Sequence, residues 1–153
     1  LDSSFFDKVF TNYATIAEEN EKGFTAQNQV GRSIKTDKTL LKQLMTILFD
    51  NAIKYTPKNS HIVIRTEKRG KQAIVSISDD GNGIADEIKP RIFDMFYSGA
   101  NQIADSRRSL GLGLSLCKSI INAHGGELTV SDNLPHGTVF TFTLPAGEVK
   151  VYE

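Results

Sequence analysis

HIVIRTEKRGKQAIVSISDDGNG, residues 61–83, is the stretch on which the fold turns. Two β-rich runs flank a polar turn at Arg69, Gly70 and Lys71, the pattern of a β-hairpin. A turn cluster, DDGNG, follows the second run directly. Helical patterns surround this hairpin. Phe5, Phe6, Val9, Phe10, Tyr13, Ile16 and Ala17 recur at a 3.6-residue period. Asp2, Ser3 or Ser4 caps that helix, and Gly23 is expected to end it. An extended piece, FTAQNQV, follows. Asp37 then precedes a second helix, KTLLKQLMTILFDNAIKY, with Leu40, Leu41, Leu44, Leu48 and Ala52 as its apolar stripe and Pro57 as its stop.

Beyond the hairpin, EIKPRIFDMF reads as a short, proline-punctuated helical piece. YSGANQIADSRRS has no usable period and reads as a mobile loop. A third helix runs through Leu114, Cys117, Ile120 and Ile121, and His124 followed by glycines closes it. Two strands end the chain, ELTVSD and GTVFTFTL; in the second, Phe140, Phe142 and Leu144 alternate with Thr141 and Thr143. Helices interleaved with hairpin-type strands, without strict β–α–β alternation, predict an α/β two-layer sandwich. A mixed, mostly antiparallel sheet carries three main helices on one face.

The 153 residues suit a single domain spanning 1–153, with no repeat or interdomain linker. A formal net charge of zero gives no global field for nucleic acid or an anionic membrane surface. One cysteine, Cys117, excludes an internal disulfide and a cysteine-only zinc site; on the apolar stripe it reads as a small core residue. No apolar run approaches the roughly 18–20 residues that span a bilayer. The start, LDSSFFDKVF, lacks a basic signal-peptide region and reads as the beginning of an excised fragment.

Three polar clusters interrupt the apolar pattern. On the second helix Asp50 and Lys54 are one turn apart, as are Asn51 and Tyr55. The four groups suit a magnesium nucleotide. An amide oxygen is a hard ligand, Lys is a point charge for phosphate, and Asp can accept a proton. The plainer alternative is a solvent-facing helix side with an i,i+4 ion pair. In SDDGNG, Asp79 ends a strand where Gly81 and Gly83 let the backbone turn. A carboxylate there can accept a hydrogen bond from the exocyclic amine of adenine; the alternative is a turn capped by Asp79. In SLGLGLSL, Gly111 and Gly113 before a helix can present free amides to phosphate oxygens at the positive end of the helix dipole. Neither a P-loop nor the dinucleotide fingerprint is present. Arg107 and Arg108 precede this stretch in the polar loop, and a loop so placed can close as a lid. His61, His124 and His136 are not read as catalytic.

In order and spacing these clusters resemble the catalytic, ATP-binding domain of bacterial sensor histidine kinases, in the class that includes gyrase, Hsp90 and MutL. DNAIKYTP resembles the N box, DDGNG the first glycine box, IFDMFYSG the F box, LGLGL the second glycine box, and HGTVFTFTLP the final glycine-threonine strand. RIFDMFY, DSRRSLGLGLSLCKSI and AHGGELTVSD are most similar to the potassium- or turgor-sensing KdpD-type kinases. The resemblance implies a Bergerat-type fold that binds ATP and Mg²⁺, with a lid over about 97–110. It implies Asn51 as the magnesium ligand and Asp50 as the acid that assists proton removal. Lys54 and Tyr55 match nucleotide contacts, and Asp79 matches the adenine-recognising carboxylate with Gly81 and Gly83 shaping its pocket. Gly111, Leu112, Gly113 and Leu114 match the phosphate-side turn and helix start, Thr138 the threonine near Asp79, and Phe93 and Phe96 the anchors at the lid's base.

It also implies partners. The histidine phosphoacceptor and dimerisation domain of the same protein, absent from this stretch, would receive the γ-phosphoryl group. A response regulator would be reached through the full-length kinase, and the fragment would not autophosphorylate. Its place would be a cytoplasmic domain of a membrane-anchored sensor, with no nucleic acid and no direct membrane contact. Two departures from the family pattern stand out: Ile47 where an asparagine is usual, and Ser109 where a glycine is usual. They motivate an alternative, a non-catalytic nucleotide-binding regulatory module. A second alternative is an ATP-hydrolysing domain of the gyrase or Hsp90 kind.

Overall fold

Apolar spacing builds three helices and a sheet in the computed structural model, which describes residues 3–29, 34–35, 37–93, 108–145 and 147–148. Helix α1 spans Ser3–Glu19 and strand β1 spans Gly23–Gln29. A short strand β2 covers Ile34–Lys35, and helix α2 covers Lys38–Tyr55. Strands β3 (His61–Arg69) and β4 (Gln72–Asp79) form the expected hairpin around Gly70 and Lys71. A 3₁₀ turn at Lys89–Arg91 follows, then helix α3 (Arg108–Ala123) and strands β5 (Leu128–Asp132), β6 (Thr138–Pro145) and β7 (Gly147–Glu148).

The main sheet has the order β1-β3-β4-β6-β5. Only β1 pairs parallel, beside β3; the other pairings in this sheet are antiparallel. The mixed, mostly antiparallel sandwich read from the sequence is therefore the observed one. A second, two-stranded sheet of β2 and β7 was not foreseen, because two-residue strands carry no alternation to read.

Strict alternation aims one sheet face at the helices. Ile62, Ile64 and Thr66 of β3, Ala73, Val75, Ile77 and Asp79 of β4, and Thr138, Phe140, Phe142 and Leu144 of β6 are all buried. From α2 the face carries Leu41, Leu44, Met45, Leu48, Phe49, Ala52 and Ile53. Asp37 caps that helix, accepting the Leu40 amide at 3.0 Å. Each fully buried Leu, Ile or Phe contributes about 1.5–3 kcal/mol. The Tyr13 ring stacks on Phe49 at 4.2 Å between centroids, and its hydroxyl lies 2.6 Å from Thr46 Oγ1.

Two helix ends differ in how well they were anticipated. His124, Gly125 and Gly126 end α3 in a Schellman arrangement, with the Gly126 amide donating to Ile121 O and the Gly125 amide to Asn122 O. Helix α1, by contrast, stops at Glu19, and Gly23 opens β1 instead of ending the helix. A turn over Asn20–Lys22, with Glu21 at φ 61°, makes the reversal.

Candidate functional site

Strand β4 delivers Asp79 to the end of the sheet, where it is buried at 8% exposure. Its Oδ1 accepts the Gly81 amide at 2.9 Å, and the carboxylate also accepts a backbone hydrogen bond from Thr138, its register partner on β6. Burial pushes the Asp79 pKa above the ordinary carboxylate value; the two backbone donors pull it down, Asp80 pushes it up and Lys22 pulls it down. A carboxylate has about four lone-pair sites, so after the Gly81 and Thr138 amides it keeps capacity to accept a further hydrogen bond.

The turn after β4 has little freedom. A Cβ at Gly81 would lie 2.9 Å from Thr56 Cγ2 and 3.1 Å from Asp79 Oδ1, so Gly81 is packed between the end of α2 and the carboxylate. Gly83 follows at φ +80°. From the β5–β6 connection, Asn133 Nδ2 donates to Asp79 O at 2.8 Å, and the His136 ring hydrogen-bonds Gly81 O at 3.1 Å. Asp80 accepts the His61 amide at 2.7 Å. Asp79, Gly81, Gly83 and Thr138 are thus one assembly, and the side chain of Thr56 joins it to α2.

The polar side of α2 ends at the same place. Lys54 Nζ lies 3.1 Å from Asp50 Oδ2, with both side chains half exposed. That is the i,i+4 ion pair weighed as the plainer reading, worth about 0.2–0.5 kcal/mol. It leaves both groups available to a charged ligand. Asn51 and Tyr55 are half-buried, one turn apart. Among the described residues no group of three His, Cys, Asp or Glu side chains forms a metal cage. The Asn51 amide oxygen is a hard donor of the kind Mg²⁺ takes, and a site with one such protein oxygen would leave most of the metal's ligands to phosphate and water.

The second glycine motif is placed differently from the expectation. Gly111, Leu112, Gly113 and Leu114 do not precede α3; they lie inside it, since the helix begins at Arg108. The first four amides of a helix lack intrahelical acceptors, so the donors not used by the helix are those from Arg108 to Gly111. The amides of Leu112, Gly113 and Leu114 fall to the helical ladder, and the Leu114 side chain is buried in the core. The glycine pattern alone gave no means of placing the first turn. Ser109 lies in that turn. Phe96 and residues 97–107 of the expected lid (about 97–110) lie outside the described residues, while 108–110 fall in the first turn of α3.

Phe93 packs edge-on against Phe140 at 6.1 Å, and Lys118 Nζ stands 4.9 Å from the Phe93 ring centroid. Lys89 fastens the preceding segment to β5, with Nζ 2.6 Å from Asp86, 2.8 Å from Asp132 and 2.8 Å from Ile84 O. Ile47 stands one helical turn before Asn51 on α2. With Leu116 and Ile120 it lines a groove of about 780 Å³ between α2 and α3. Cys117 is fully buried, its thiol pushed up to about 12 by burial, as a core residue should be. Sequence reasoning missed Lys22, Thr56, Asn133 and His136, whose roles arise from contacts across long sequence separations.

Residues 36–148 match the profile of the family described as histidine kinase-, DNA gyrase B-, and HSP90-like ATPase. The sensor protein CiaH of Streptococcus pneumoniae is 46% identical over 138 residues, 90% of this chain and 31% of that protein. The sensor protein KdpD of Clostridium acetobutylicum is 41% identical over 112 residues, 73% of this chain and 12% of that one. The chain thus spans about a third or less of the length of these relatives. Among solved structures, the catalytic domain of histidine kinase ThkA superposes with a TM-score of 0.78 at 26% identity, covering 96% of this chain and 94% of that one. ThkA in complex with the response regulator protein TrrA superposes at 0.75 and 27% identity, over 95% of this chain and 40% of that chain.

Proposed function

The chain belongs to the histidine kinase-, DNA gyrase B- and HSP90-like ATPase family, and from that premise we propose that it binds Mg-ATP and donates the γ-phosphoryl group to a histidine on a separate domain of a two-component sensor kinase. The observation that carries this reading is the buried Asp79 carboxylate, held by the Gly81 and Thr138 backbones at the point where β4 meets the polar end of α2. An ionised carboxylate there accepts the exocyclic amine of adenine, which guanine lacks at that position.

Phosphoryl transfer asks a protein for in-line positioning and charge neutralisation more than for covalent chemistry. Lys54 supplies a point charge to the phosphates, and the free amides at the start of α3 supply oriented dipoles. Asn51 offers its side-chain oxygen to Mg²⁺, which when bound with the nucleotide neutralises charge on the phosphate oxygens. Asp50 assists removal of the proton from the attacking histidine; for that it exchanges its ion pair with Lys54 for the incoming group. The stretch of about 97–110 is read as the lid, with its last three residues, 108–110, forming the first turn of α3. The acceptor histidine belongs to the phosphoacceptor domain of a longer chain, and the phosphoryl group passes on to a response regulator. The likeness to ThkA, solved with TrrA, supports that route. The domain is read as the cytoplasmic part of a membrane-anchored sensor.

Ile47, which puts an apolar side chain one turn before Asn51 where an amide would be expected, favours one second reading, a nucleotide-binding module without catalysis. Calorimetry with a non-hydrolysable ATP analogue, with and without Mg²⁺, tests the main proposal on wild type and Asp79→Asn. Wild type is expected to bind with Mg²⁺-dependent affinity and the variant to lose it. Equal binding by both would overturn the adenine assignment.

A further inference from the structure

Lys22 lies in the turn between α1 and β1, yet its side chain serves the end of α2. Its Nζ donates to the carbonyl of Ile53 and, at 2.8 Å, to that of Thr56. Ile53 lies in the last turn of α2 and Thr56 is its C-cap, so neither carbonyl has a partner within the helix. The turn is itself stitched to the α2–β3 connection, with the Asn59 amide donating to Glu21 O and the Gly23 amide to Ser60 O, both at 2.9 Å. Thr56 carries the contact onward. Its hydroxyl donates to Ala52 O at 2.6 Å, and its methyl group packs against Gly81, whose amide donates to Asp79. An unbroken path therefore runs from Lys22 through Thr56 and Gly81 to Asp79.

We infer that Lys22 is a positioning residue for base recognition: it locks the last turn of α2 against the Gly81 turn and supplies the positive charge that acts on the Asp79 carboxylate. This rests on the assignment of Asp79 to adenine. The charge acts in a crowded setting. Asp80, next in the chain, repels the carboxylate, while its own side chain accepts the His61 amide. His136 approaches from the β5–β6 turn through Gly81 O. Lys54 is paired with Asp50 on α2, and Glu21 with Lys58 beside the α1–β1 turn. From β6 the partner is Thr138, which is uncharged. Among the described residues, Lys22 is a cation whose charge opposes the burial of Asp79, and Asp79 in turn opposes the burial of Lys22. Ionised Asp79 favours adenine and disfavours guanine, so the charge of Lys22 feeds directly into the choice of base.

The test compares wild type with Lys22→Met, Lys22→Gln and Lys22→Arg. The first readout is the Asp79 side-chain carboxyl ¹³C shift, titrated without nucleotide. The second is the ratio of dissociation constants for GTP and ATP at pH 7. Lys22→Met and Lys22→Gln are expected to raise the Asp79 midpoint by on the order of half a pH unit. They are also expected to narrow the preference for ATP at least threefold, while Lys22→Arg stays near wild type in both. Glutamine keeps a hydrogen-bond donor without charge, so it reports on the charge should the methionine variant not fold. An unmoved midpoint in the uncharged variants, or failure of arginine to restore it, would overturn the inference. If wild type binds no ATP, the proposed function fails, while the nucleotide-free titration still decides the link between Lys22 and Asp79.

Discussion

The backbone of Gly137 runs so close to Asp79 that a Cβ at Gly137 would lie 1.9 Å from the Asp79 carbonyl oxygen. Gly137 also holds φ +118°, a conformation that L residues rarely adopt. The β5–β6 turn is therefore a clamp on the strand that carries the Asp79 carboxylate, helped by Asn133 on the same carbonyl. Gly137→Ala is expected to destabilise the chain by about 3 kcal/mol, combining backbone strain with overpacking. It should also weaken ATP binding at least tenfold. Urea midpoints and calorimetry measure the two effects. A variant within about 0.5 kcal/mol of wild type and of unchanged affinity would contradict the clamp.

The Asp79 carboxyl ionises at a pH above the ordinary carboxylate range because it is buried. A carboxyl raised in the folded state contributes stability that is present at pH below its unfolded value and is lost as pH rises through the folded value. Nucleotide binding carries the opposite sign, since the adenine amine needs the ionised acceptor. Affinity for ATP should therefore decline as pH falls from neutral through that raised value, before exposed carboxylates titrate. Asp79→Asn should lack this decline and bind about 10–100-fold more weakly at neutral pH, the loss of a charge-assisted hydrogen bond. Calorimetry from pH 7.5 to 5 separates the two curves.

Tyr13 offers an alkaline test of the packing between α1 and α2. Burial pushes its hydroxyl from 10.0 up to about 12, against the lowering effect of the Thr46 hydrogen bond. Its contribution to stability is fully present below pH 10 and is lost as pH rises through about 12. The loss amounts to about 3 kcal/mol over that window. Tyr13→Phe keeps the ring stack on Phe49 and gives up about 1 kcal/mol at pH 8 for the hydrogen bond. Between pH 10 and 12 wild type should fall relative to the variant in denaturant melts. Parallel curves would place the hydroxyl in water.

Ile47 separates the two functional readings. Its side chain packs against the core and lines the groove with Leu116 and Ile120. Ile47→Asn is expected to cost about 1–2 kcal/mol of stability, by placing an amide on an apolar wall. Affinity for Mg-ATP should stay within about threefold of wild type. A tenfold gain in affinity, or phosphotransfer appearing only in the variant of the longer kinase, would favour the non-catalytic module.

Much of this molecule follows from neighbours along the chain. Asp37 caps α2 because its side chain reaches an amide three residues on. The His124–Gly126 terminus of α3 closes through bonds spanning three and five residues. The β3–β4 hairpin and the buried face of β6 follow from a period of two. The residue types of the candidate site were legible for the same reason, since Asp50, Asn51, Lys54 and Tyr55 share one helix and Asp79 to Gly83 share one turn.

Other features were settled only when distant segments packed. The parallel seat of β1 beside β3, the early end of α1 and the start of α3 at Arg108 depend on partners that spacing does not name. Lys22 reaches α2 across 31 residues, and Asn133 reaches Asp79 across 54. Local patterns specify elements because turns, caps and hairpins satisfy their hydrogen bonds within a few residues. Pocket geometry is different in kind. A buried carboxylate needs its donors, its neighbouring charge and its tight backbone contacts from four separate stretches at once, and only the collapse of the shared core brings them together.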